Sequence, residues 1–223
     1  MKDMPTSQPE GLCISAVSYR EDSADALIVR KDCYDQNTPL GIPKNGIVGT
    51  SSARRKAQIK YIRNDIQLND IRGNVPTRLK KLQEGQFDAI LLATAGINRL
   101  NIDMSPYHFI RLSPKEFIPA PAQGVLAWQC KKEDKTMRRI LKNLHQKDVA
   151  DCTNIERRVL QLMDGGCHLP LGVYCEKDTL NNYHVWSVYS HGVDQPLRFF
   201  NMSSRTTNQL AESIVDALTK TDA

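Results

Sequence analysis

Two stretches of the sequence combine arginines with glycine and hydroxyl residues in a pattern suited to binding anions. They are GTSSARR at 49–55 and RGNVPTR at 72–78, and each follows a predicted strand and opens a predicted helix. Unpaired N–H groups and the helix dipole attract negative charge at a helix N-terminus, and an arginine adds paired donors that match a carboxylate or a phosphate. The GxxxxGK spacing of a P-loop is absent. The pattern predicts a carboxylate or phosphate site or, alternatively, two capped helices with a solvated basic face.

The positive charge of the chain is concentrated around these two stretches. Between Gly49 and Leu82 there are nine basic residues and two acidic ones, an excess larger than the net charge of +5 carried by all 223 residues. A basic segment in an otherwise slightly acidic chain indicates a local anion site rather than a nucleic-acid-binding surface. Tyr61 is the only aromatic residue in this segment, which also argues against a platform for stacking single-stranded nucleic acid.

One of the six cysteines, Cys167, stands in a context that favours chemistry. It lies in the GGCHLP stretch at 165–170, where two glycines after a predicted helix allow a ligand to approach the backbone. A buried thiol that acts as a small hydrophobe is the competing interpretation, and the neighbouring His168 is either a base or an ordinary loop histidine. No CxxC pair occurs, so the sequence predicts no metal site. Because no signal-like or membrane-spanning apolar stretch is present, we expect a cytoplasmic protein with free thiols.

Strands and helices alternate in the first half of the chain, and this rhythm predicts an α/β fold with a mostly parallel sheet. Apolar strands at 46–49, 66–71 and 87–93 are separated by helices at 53–64 and 75–84. Hydroxyl side chains before the first helix and a proline in the first turn of the second mark where the helices begin. In a parallel arrangement both arginine-containing stretches lie at the carboxyl edge of the sheet, where ligands bind.

The second half of the chain has a different hydrophobic pattern. A run of proline, alanine and glycine at 119–124 is typical of a linker between domains. Further on, apolar residues recur at every second position through 173–176, 183–189 and 197–202, which predicts three antiparallel strands closed by a helix at 207–218. The sequence therefore predicts an α/β region followed by an α+β domain with a three-stranded antiparallel sheet.

Seven stretches of the sequence, taken in order, form a signature far more specific than any one of them. They are MKDMPT at 1–6, REDSADAL at 20–27, VGTSSARR at 48–55, DIRGNVPTRL at 70–79, FDAILLATAGINRL at 87–100, PAPAQG at 119–124 and GGCHLP at 165–170. Together they resemble the porphobilinogen deaminase family, also called hydroxymethylbilane synthase, over most of the chain. Members of that family condense four porphobilinogen molecules head to tail and release ammonia each time. The product grows on a dipyrromethane primer that a thioether joins to a cysteine.

The resemblance implies roles for particular residues. Cys167 matches the cysteine that carries the dipyrromethane cofactor. Asp3 matches the catalytic carboxylate, which pairs with pyrrole N–H groups and stabilises the cation formed as the protonated amine leaves, and Lys2 matches the adjacent lysine that binds carboxylates. Every pyrrole carries an acetate and a propionate, so the family needs many fixed cations. The residues implied to bind these carboxylates are Arg54, Arg55, Arg72, Arg78 and Arg99, with the hydroxyls of Thr50 and Ser52 beside them.

The resemblance also implies a division of the chain into three parts. Family members have two domains that resemble the halves of a periplasmic-type binding protein and a third that carries the cysteine. Residues 1–21 and 119–144 then correspond to a remnant of domain 1, 22–118 to domain 2 and 145–223 to domain 3. Because the chain starts inside the family's HS-x-KD motif, we expect the N-terminal part of domain 1 to be missing. Met1 is then either an internal methionine of a longer chain or the start of a truncated relative.

The function expected from this resemblance is a transferase reaction in porphyrin and haem biosynthesis, with porphobilinogen as the substrate. No nucleic-acid or membrane partner is expected, and the family is usually monomeric. The alternative is a catalytically inactive carboxylate-binding fragment, in which domain 2 keeps its arginine loops while truncation has removed catalysis. A nucleic-acid binder, the third alternative, requires an affinity that falls steeply with salt.

Overall fold

The computed structural model describes residues 1–164 and 169–220, and this part of the chain contains ten strands and six α-helices. The strands are β1 (Leu12–Val17), β2 (Asp25–Arg30), β3 (Ile47–Gly49), β4 (Gln67–Asn69), β5 (Ala89–Ala93), β6 (Tyr107–Arg111), β7 (Ala127–Lys131), β8 (Leu171–Lys177), β9 (Tyr183–Tyr189) and β10 (Arg198–Ser204). The helices are α1 (Ala53–Ile62), α2 (Val75–Gln83), α3 (Thr94–Arg99), α4 (Lys135–Lys142), α5 (Lys147–Leu162) and α6 (Leu210–Thr219). These bounds agree to within a few residues with the strands and helices predicted above. The sequence also predicts strands at 12–18, 26–29 and 125–130 and helices at 134–144 and 149–163, so α3 and β6 are the additions.

A five-stranded sheet in the order β4-β3-β5-β2-β6 forms the centre of the first half of the chain. β3 pairs in parallel with β4 and β5, but β2 pairs antiparallel with β5 and β6. Four of the five strands therefore run in one direction, and β2 runs against them. The prediction of a mostly parallel sheet is confirmed except for β2, because an alternation of strands and helices does not reveal the direction of a strand outside the repeat. β6 gives no clear sequence signal, since none of its residues is fully buried and it lies at the edge of the sheet.

Helices cover both faces of this sheet. Successive residues of a strand point to opposite faces, so Leu27 and Val29 of β2 pack with Ile59 of α1, while Ala26 and Ile28 pack on the side of α2 and α3. β2 and β5 are almost entirely buried, as expected for strands that are covered on both faces. The two layers of helices hold β3, β4 and β5 rigidly, and the ends of these strands carry the site.

The C-terminal region forms a separate antiparallel sheet in the order β10-β9-β8, which confirms the three-stranded prediction. It packs against α5 and α6 through a cluster that includes Val159, Val173 and Ile214. β1 and β7 form a third, two-stranded antiparallel sheet, and Val17 of β1 packs with Ala150 of α5. Between residues 1 and 220, outside the gap at 165–168, no helix has both the length and the apolar character needed to cross a bilayer.

The segment at 119–124 connects the five-stranded sheet to β7, but it is not an exposed linker. Ala122 and Gln123 are fully buried. The side-chain amide of Gln123 donates to the carbonyl groups of Ser23 and Ala24, 2.8 and 3.3 Å away. The proline-rich composition suggests a solvated connection, yet the NH2 group of Gln123 is bonded inside the protein, and its Oε1 is buried without a partner among the described residues. The segment therefore packs as part of the core beside the site.

Candidate functional site

Three helix N-termini meet at one edge of the five-stranded sheet. Because β3, β4 and β5 run in parallel, the helices α1, α2 and α3 that follow them all begin at that edge. Ser52 caps α1 by accepting from the N–H of Arg55, and Asn74 caps α2 by accepting from that of Thr77, which confirms the predicted starts of both helices. α3 follows β5 directly and has no side-chain cap, so local sequence patterns do not reveal it.

Two neighbouring cavities, with volumes of about 360 and 340 Å³, lie at this edge and are called the first and the second cavity below. Lys2, Asp3, Arg55 and Arg78 line both of them. The first cavity is also lined by Arg54 and the 50–52 loop, and the second by the starts of α2 and α3. Eight of the ten site residues expected from the sequence therefore line at least one of the two cavities.

Arg54 and Arg55 are buried side by side and share one carboxylate, that of Asp25. Nη1 of Arg54 lies 2.6 Å from Oδ2 of Asp25, and Nη2 and Nε of Arg55 lie 2.7 and 3.2 Å from Oδ1. Burial by itself raises the pKa of the Asp25 carboxyl, but the two guanidinium groups outweigh burial and hold that pKa well below its ordinary value. Two cations facing one anion leave a net positive charge at the wall of the first cavity.

The donors of these two arginines are not all occupied by Asp25. Nη1 of Arg54 also donates to the carbonyl of Ile118 at 2.9 Å, and Nη1 of Arg55 to that of Leu91 at 3.0 Å. Nε of Arg54 is buried and has no hydrogen-bond partner among residues 1–164 and 169–220. A buried donor without an acceptor is unfavourable, so an acceptor atom of a ligand would be stabilised there. Local sequence patterns do not mark Asp25 as a site residue. The only sequence feature that points to it is its place in the REDSADAL motif at 20–27.

Lys2 and Arg78 are two cations of the site without an anionic partner among the described residues. Nε of Arg78 donates to the carbonyl of Gly73 at 2.7 Å, and neither Lys2 nor Arg78 pairs with a carboxylate in the part of the chain that the structure describes. Burial lowers the pKa of both side chains, and the guanidinium of Arg55 lowers it further. For Lys2 the pKa falls from 10.5 to about 8. Partly desolvated cations of this kind attract an anion more strongly than fully solvated ones.

The hydroxyl groups at 50–52 mainly organise the loop that carries Arg54 and Arg55. Thr50 is buried, and its Oγ1 accepts from the N–H of Ser52 at 3.3 Å. Oγ of Ser51 makes two hydrogen bonds of 3.0 Å with the backbone of Ile71. Oγ of Ser52 is occupied as the cap of α1. Thr50 and Ser52 thus line the first cavity as parts of a rigid loop.

The remaining expected site residues differ in their placement. Arg99 is exposed, lines the second cavity and donates from Nη2 to the carbonyl of Gly124 at 2.6 Å. Arg72 is also exposed but lines neither cavity. Cys167 and His168 lie outside the residues that the structure describes. The fold therefore brings Arg99 to the other cations and leaves Arg72 apart from them.

Apolar and acidic groups complete the lining. Leu160 of α5, Leu169 and Leu171 form an apolar part of the first cavity. Asp3 is exposed and lines both cavities. A cavity with an apolar surface, several cations and one carboxylate suits a flat ring that carries acidic side chains. The carboxylate of Asp3 adds a group able to stabilise positive charge that develops on such a ring.

A second buried ion pair connects the site to the C-terminal sheet. Glu156 of α5 is fully buried, and its Oε1 lies 2.6 Å from Nη1 of Arg20. The same carboxylate accepts from the backbone N–H of Ala122 at 2.6 Å and from one of β8 at 2.7 Å. Gln123, next to Ala122, donates to Asp25 at 2.9 Å, so the two buried carboxylates are linked through Ala122 and Gln123. Sequence reasoning misses this link because its members are far apart along the chain.

The sequence of the chain is similar to those of known proteins of one family. Residues 1–139 match the family model described as porphobilinogen deaminase, dipyromethane cofactor binding domain. A porphobilinogen deaminase of Sulfurimonas denitrificans is 43% identical over 173 residues, which cover 78% of this chain and 54% of the relative. Another, of Streptococcus sanguinis, is 36% identical over 219 residues, which cover 98% of this chain and 70% of the relative. The chain spans little more than half the length of several curated relatives that it matches.

The solved structures most similar in fold include a periplasmic binding protein of Salmonella typhimurium with high arginine specificity. It matches 62% of this chain and 59% of its own at 14% identity, with a TM-score of 0.40. A likeness of this size supports no inference about function.

Proposed function

Since the chain belongs to the porphobilinogen deaminase family, we propose that it condenses porphobilinogen into hydroxymethylbilane with release of ammonia. The observation that carries this proposal is the group of poorly compensated cations beside Asp3: Lys2, Arg78 and the Arg54–Arg55 pair, which shares one carboxylate. Every pyrrole that joins the growing product brings an acetate and a propionate. Charge-assisted hydrogen bonds from such cations bind carboxylates strongly.

The residues present fit the dipyrromethane cofactor of the family. Its pyrrole rings carry carboxylates, and the wall of the first cavity offers Nε of Arg54, a buried donor without a partner in the described chain. When bound, the cofactor supplies the free ring position to which the first substrate is joined. We assign its attachment to Cys167, which lies outside the described residues. The residues that would hold its carboxylates are Lys2, Arg54, Arg55, Arg78 and Arg99, and Arg72 is left out because it lines neither cavity.

The cations hold carboxylates in different ways. Arg78 offers a planar fork of donors, which orients a carboxylate, whereas Lys2 is a compact charge that attracts one without fixing its angle. With a pKa of about 8, Lys2 is mostly protonated at neutral pH and loses its charge in mildly alkaline solution. Thr50 and Ser52 maintain the conformation of the loop before α1. The guanidinium groups of Arg54 and Arg55 therefore stay in place as the product grows.

Asp3 is the proposed catalytic carboxylate. Its position at the lining of both cavities lets it accept from pyrrole N–H groups and stabilise the positive charge that develops as the amine leaves. An amine leaves as ammonia only when it carries a proton, and a positioned carboxyl group can supply that proton. The leucines of the first cavity, Leu160, Leu169 and Leu171, offer an apolar surface on which a pyrrole ring can pack.

The mass of the denatured, intact protein tests the proposal. We expect the mass of the 223-residue chain plus two condensed pyrroles, and the unmodified mass for Cys167→Ser. Turnover of porphobilinogen is expected in the wild type and is lost in Asp3→Asn. An unmodified wild-type chain from cells that make porphobilinogen would contradict the proposal.

A carboxylate-binding fragment without turnover is the second candidate function. The same cations support it, because Lys2, Arg78 and the Arg54–Arg55 pair can bind carboxylates with or without a following reaction. Calorimetry and turnover together separate the two candidates. An enzyme loses condensation in Asp3→Asn but keeps its binding of a pyrrole carboxylate. If the chain is an inactive fragment, the unsubstituted chain binds the same ligand but does not condense porphobilinogen.

The proposed division into domains follows the three sheets. We propose that residues 1–21 and 119–144, which contain β1 and β7, correspond to part of domain 1. Residues 22–118 contain the five-stranded sheet of domain 2, and 145–223 contain the three-stranded sheet of domain 3. A monomeric state and a cytoplasmic location stay predictions.

A further inference from the structure

The segment that carries Lys2 and Asp3 has no helix or strand of its own. Residues 1–6 form turns and irregular backbone, in which the N–H of Met4 donates to the carbonyl of Met1 at 3.0 Å. A segment with so few internal hydrogen bonds keeps one conformation only when other parts of the molecule hold it. Contacts from outside the segment therefore decide where Lys2 and Asp3 lie.

Arg157 of α5 makes such contacts with one guanidinium group. Its distances to carbonyl oxygens are 2.5 Å to Pro5 and 3.4 Å to Thr6 from Nη2, and 3.5 Å to both Met1 and Met4 from Nη1. The four carbonyl groups lie on both sides of the Lys2–Asp3 pair in the sequence. Among the described side chains outside residues 1–8, Arg157 is the only one that donates to carbonyl groups of this segment.

The guanidinium of Arg157 is balanced by backbone carbonyl groups rather than by a carboxylate. It has no salt bridge to any carboxylate in the described chain, and burial lowers the pKa of its guanidinium. The next residue, Arg158, forms an ordinary surface ion pair with Glu212 at 3.0 Å. A partly desolvated cation without an anion is tolerable only where several acceptors converge on its donors. The carbonyl groups of residues 1–6 are those acceptors, so their position is coupled to that of α5.

The same helix is itself held firmly in place. Glu156, next to Arg157, is fully buried and pairs with Arg20 at 2.6 Å. α5 ends at Leu162, and Cys167 follows five residues later in the sequence. We propose that Arg157 is a positioning residue that holds Lys2 and Asp3 at the lining of the two cavities, on the helix that leads to the cysteine. This inference rests on the roles of Asp3 and Cys167 in the proposed function.

Hydrogen exchange of the full chain tests the positioning role without any catalysis. Hydrogen bonds to a charged donor stabilise by amounts that correspond to about tenfold or more, so the amide of Met4, which donates to the carbonyl of Met1 within the segment, should exchange at least about tenfold faster in Arg157→Ala. Arg158→Ala is the matched control, because it removes the same side chain one position along α5. It should leave the exchange of the Met4 amide unchanged. Unchanged exchange in Arg157→Ala would overturn the inference.

Kinetics distinguish a failure of this inference from a failure of the proposed function. In a chain with turnover, Arg157→Ala should lower kcat by about tenfold or more, and Arg157→Lys, which keeps the charge but not the planar fork, should recover part of it. Arg158→Ala should keep the wild-type kcat. If exchange rises while kcat is unchanged, the positioning role is wrong. A wild type without turnover defeats the proposed function, and hydrogen exchange then decides whether Arg157 holds the segment. If Arg157→Ala does not fold, Arg157→Lys takes its place in both experiments.

Discussion

Replacing Asp25 by asparagine tests the central electrostatic arrangement of the site. Asp25 is fully buried and accepts hydrogen bonds from Arg54, Arg55 and Gln123 over 2.6 to 3.2 Å. Asparagine keeps the shape of the side chain but removes its charge and turns one acceptor oxygen into a donor that faces a guanidinium. Two buried cations are then left without their anion. Breaking a buried ion pair in this way costs about 3 to 5 kcal/mol, a large part of the roughly 5 to 15 kcal/mol that stabilises a typical protein.

Urea unfolding followed by circular dichroism measures this loss. Asp32→Asn is the control, because Asp32 also pairs with an arginine, Arg30, but its side chain is 70% exposed, and exposed pairs contribute little. The urea concentration at the midpoint of unfolding should fall strongly in Asp25→Asn and hardly change in Asp32→Asn. Adding Arg54→Met to Asp25→Asn should recover part of the loss, since it removes one of the two unpaired charges.

The stability difference between the wild type and Asp25→Asn should also depend on pH, which provides a second check. The pKa of Asp25 in the folded protein is well below its ordinary value of 3.8, so its contribution to stability is fully present above that value. It is lost as the pH falls through the lower folded pKa. The difference between the wild type and Asp25→Asn should stay constant from about pH 8 to pH 5 and shrink below about pH 4. Equal midpoints for the two proteins at neutral pH would refute the reasoning.

Three further predictions concern the binding of a pyrrole carboxylate and the support of the site. Arg78→Ala should weaken that binding in calorimetry by about tenfold or more, whereas Arg72→Ala, outside both cavities, should not; equal losses would contradict the placement of the two arginines. The same binding should weaken as the pH rises through about 8, where Lys2 loses its charge. Lys2→Met should remove this dependence, and a flat wild-type profile would argue against the lowered pKa. Glu156→Gln should reduce the free energy of unfolding by about 3 kcal/mol, against about 1 kcal/mol or less for Glu212→Gln at the surface. If chemical denaturation gives similar losses of unfolding free energy for the two variants, the buried pair of Glu156 stabilises the fold no more than the surface pair of Glu212 does.

The starts of the two predicted helices at the site follow from local sequence. Ser52 caps α1 as the sequence predicts, because a cap joins residues only three positions apart. α2 begins where its first-turn proline indicates, with Asn74 as the cap. The three antiparallel strands of the C-terminal sheet follow equally well from their period of two. α3 lacks such a signal, since it begins at Thr94 without a side-chain cap.

Strand direction and burial of the connecting segment follow instead from long-range packing. β2 runs antiparallel to β5, although nothing in its composition distinguishes it from a parallel strand. The run at 119–124 has the composition of a linker, yet Gln123 is fully buried and bonded to Ser23, Ala24 and Asp25. Its partners are about a hundred positions away along the chain, beyond the reach of any local pattern.

The same physical reason explains the charges of the site. The order of the motifs identifies the family, and the composition shows that many cationic side chains are present. Both are properties of the linear sequence and do not depend on tertiary structure. Folding then makes the cations unequal: Arg54 and Arg55 share Asp25, while Lys2 and Arg78 meet no carboxylate in the described chain. Asp25 is 29 positions from Arg54, and only the assembled sheet brings them within hydrogen-bonding distance. Which cations remain available to a ligand is therefore a property of the fold.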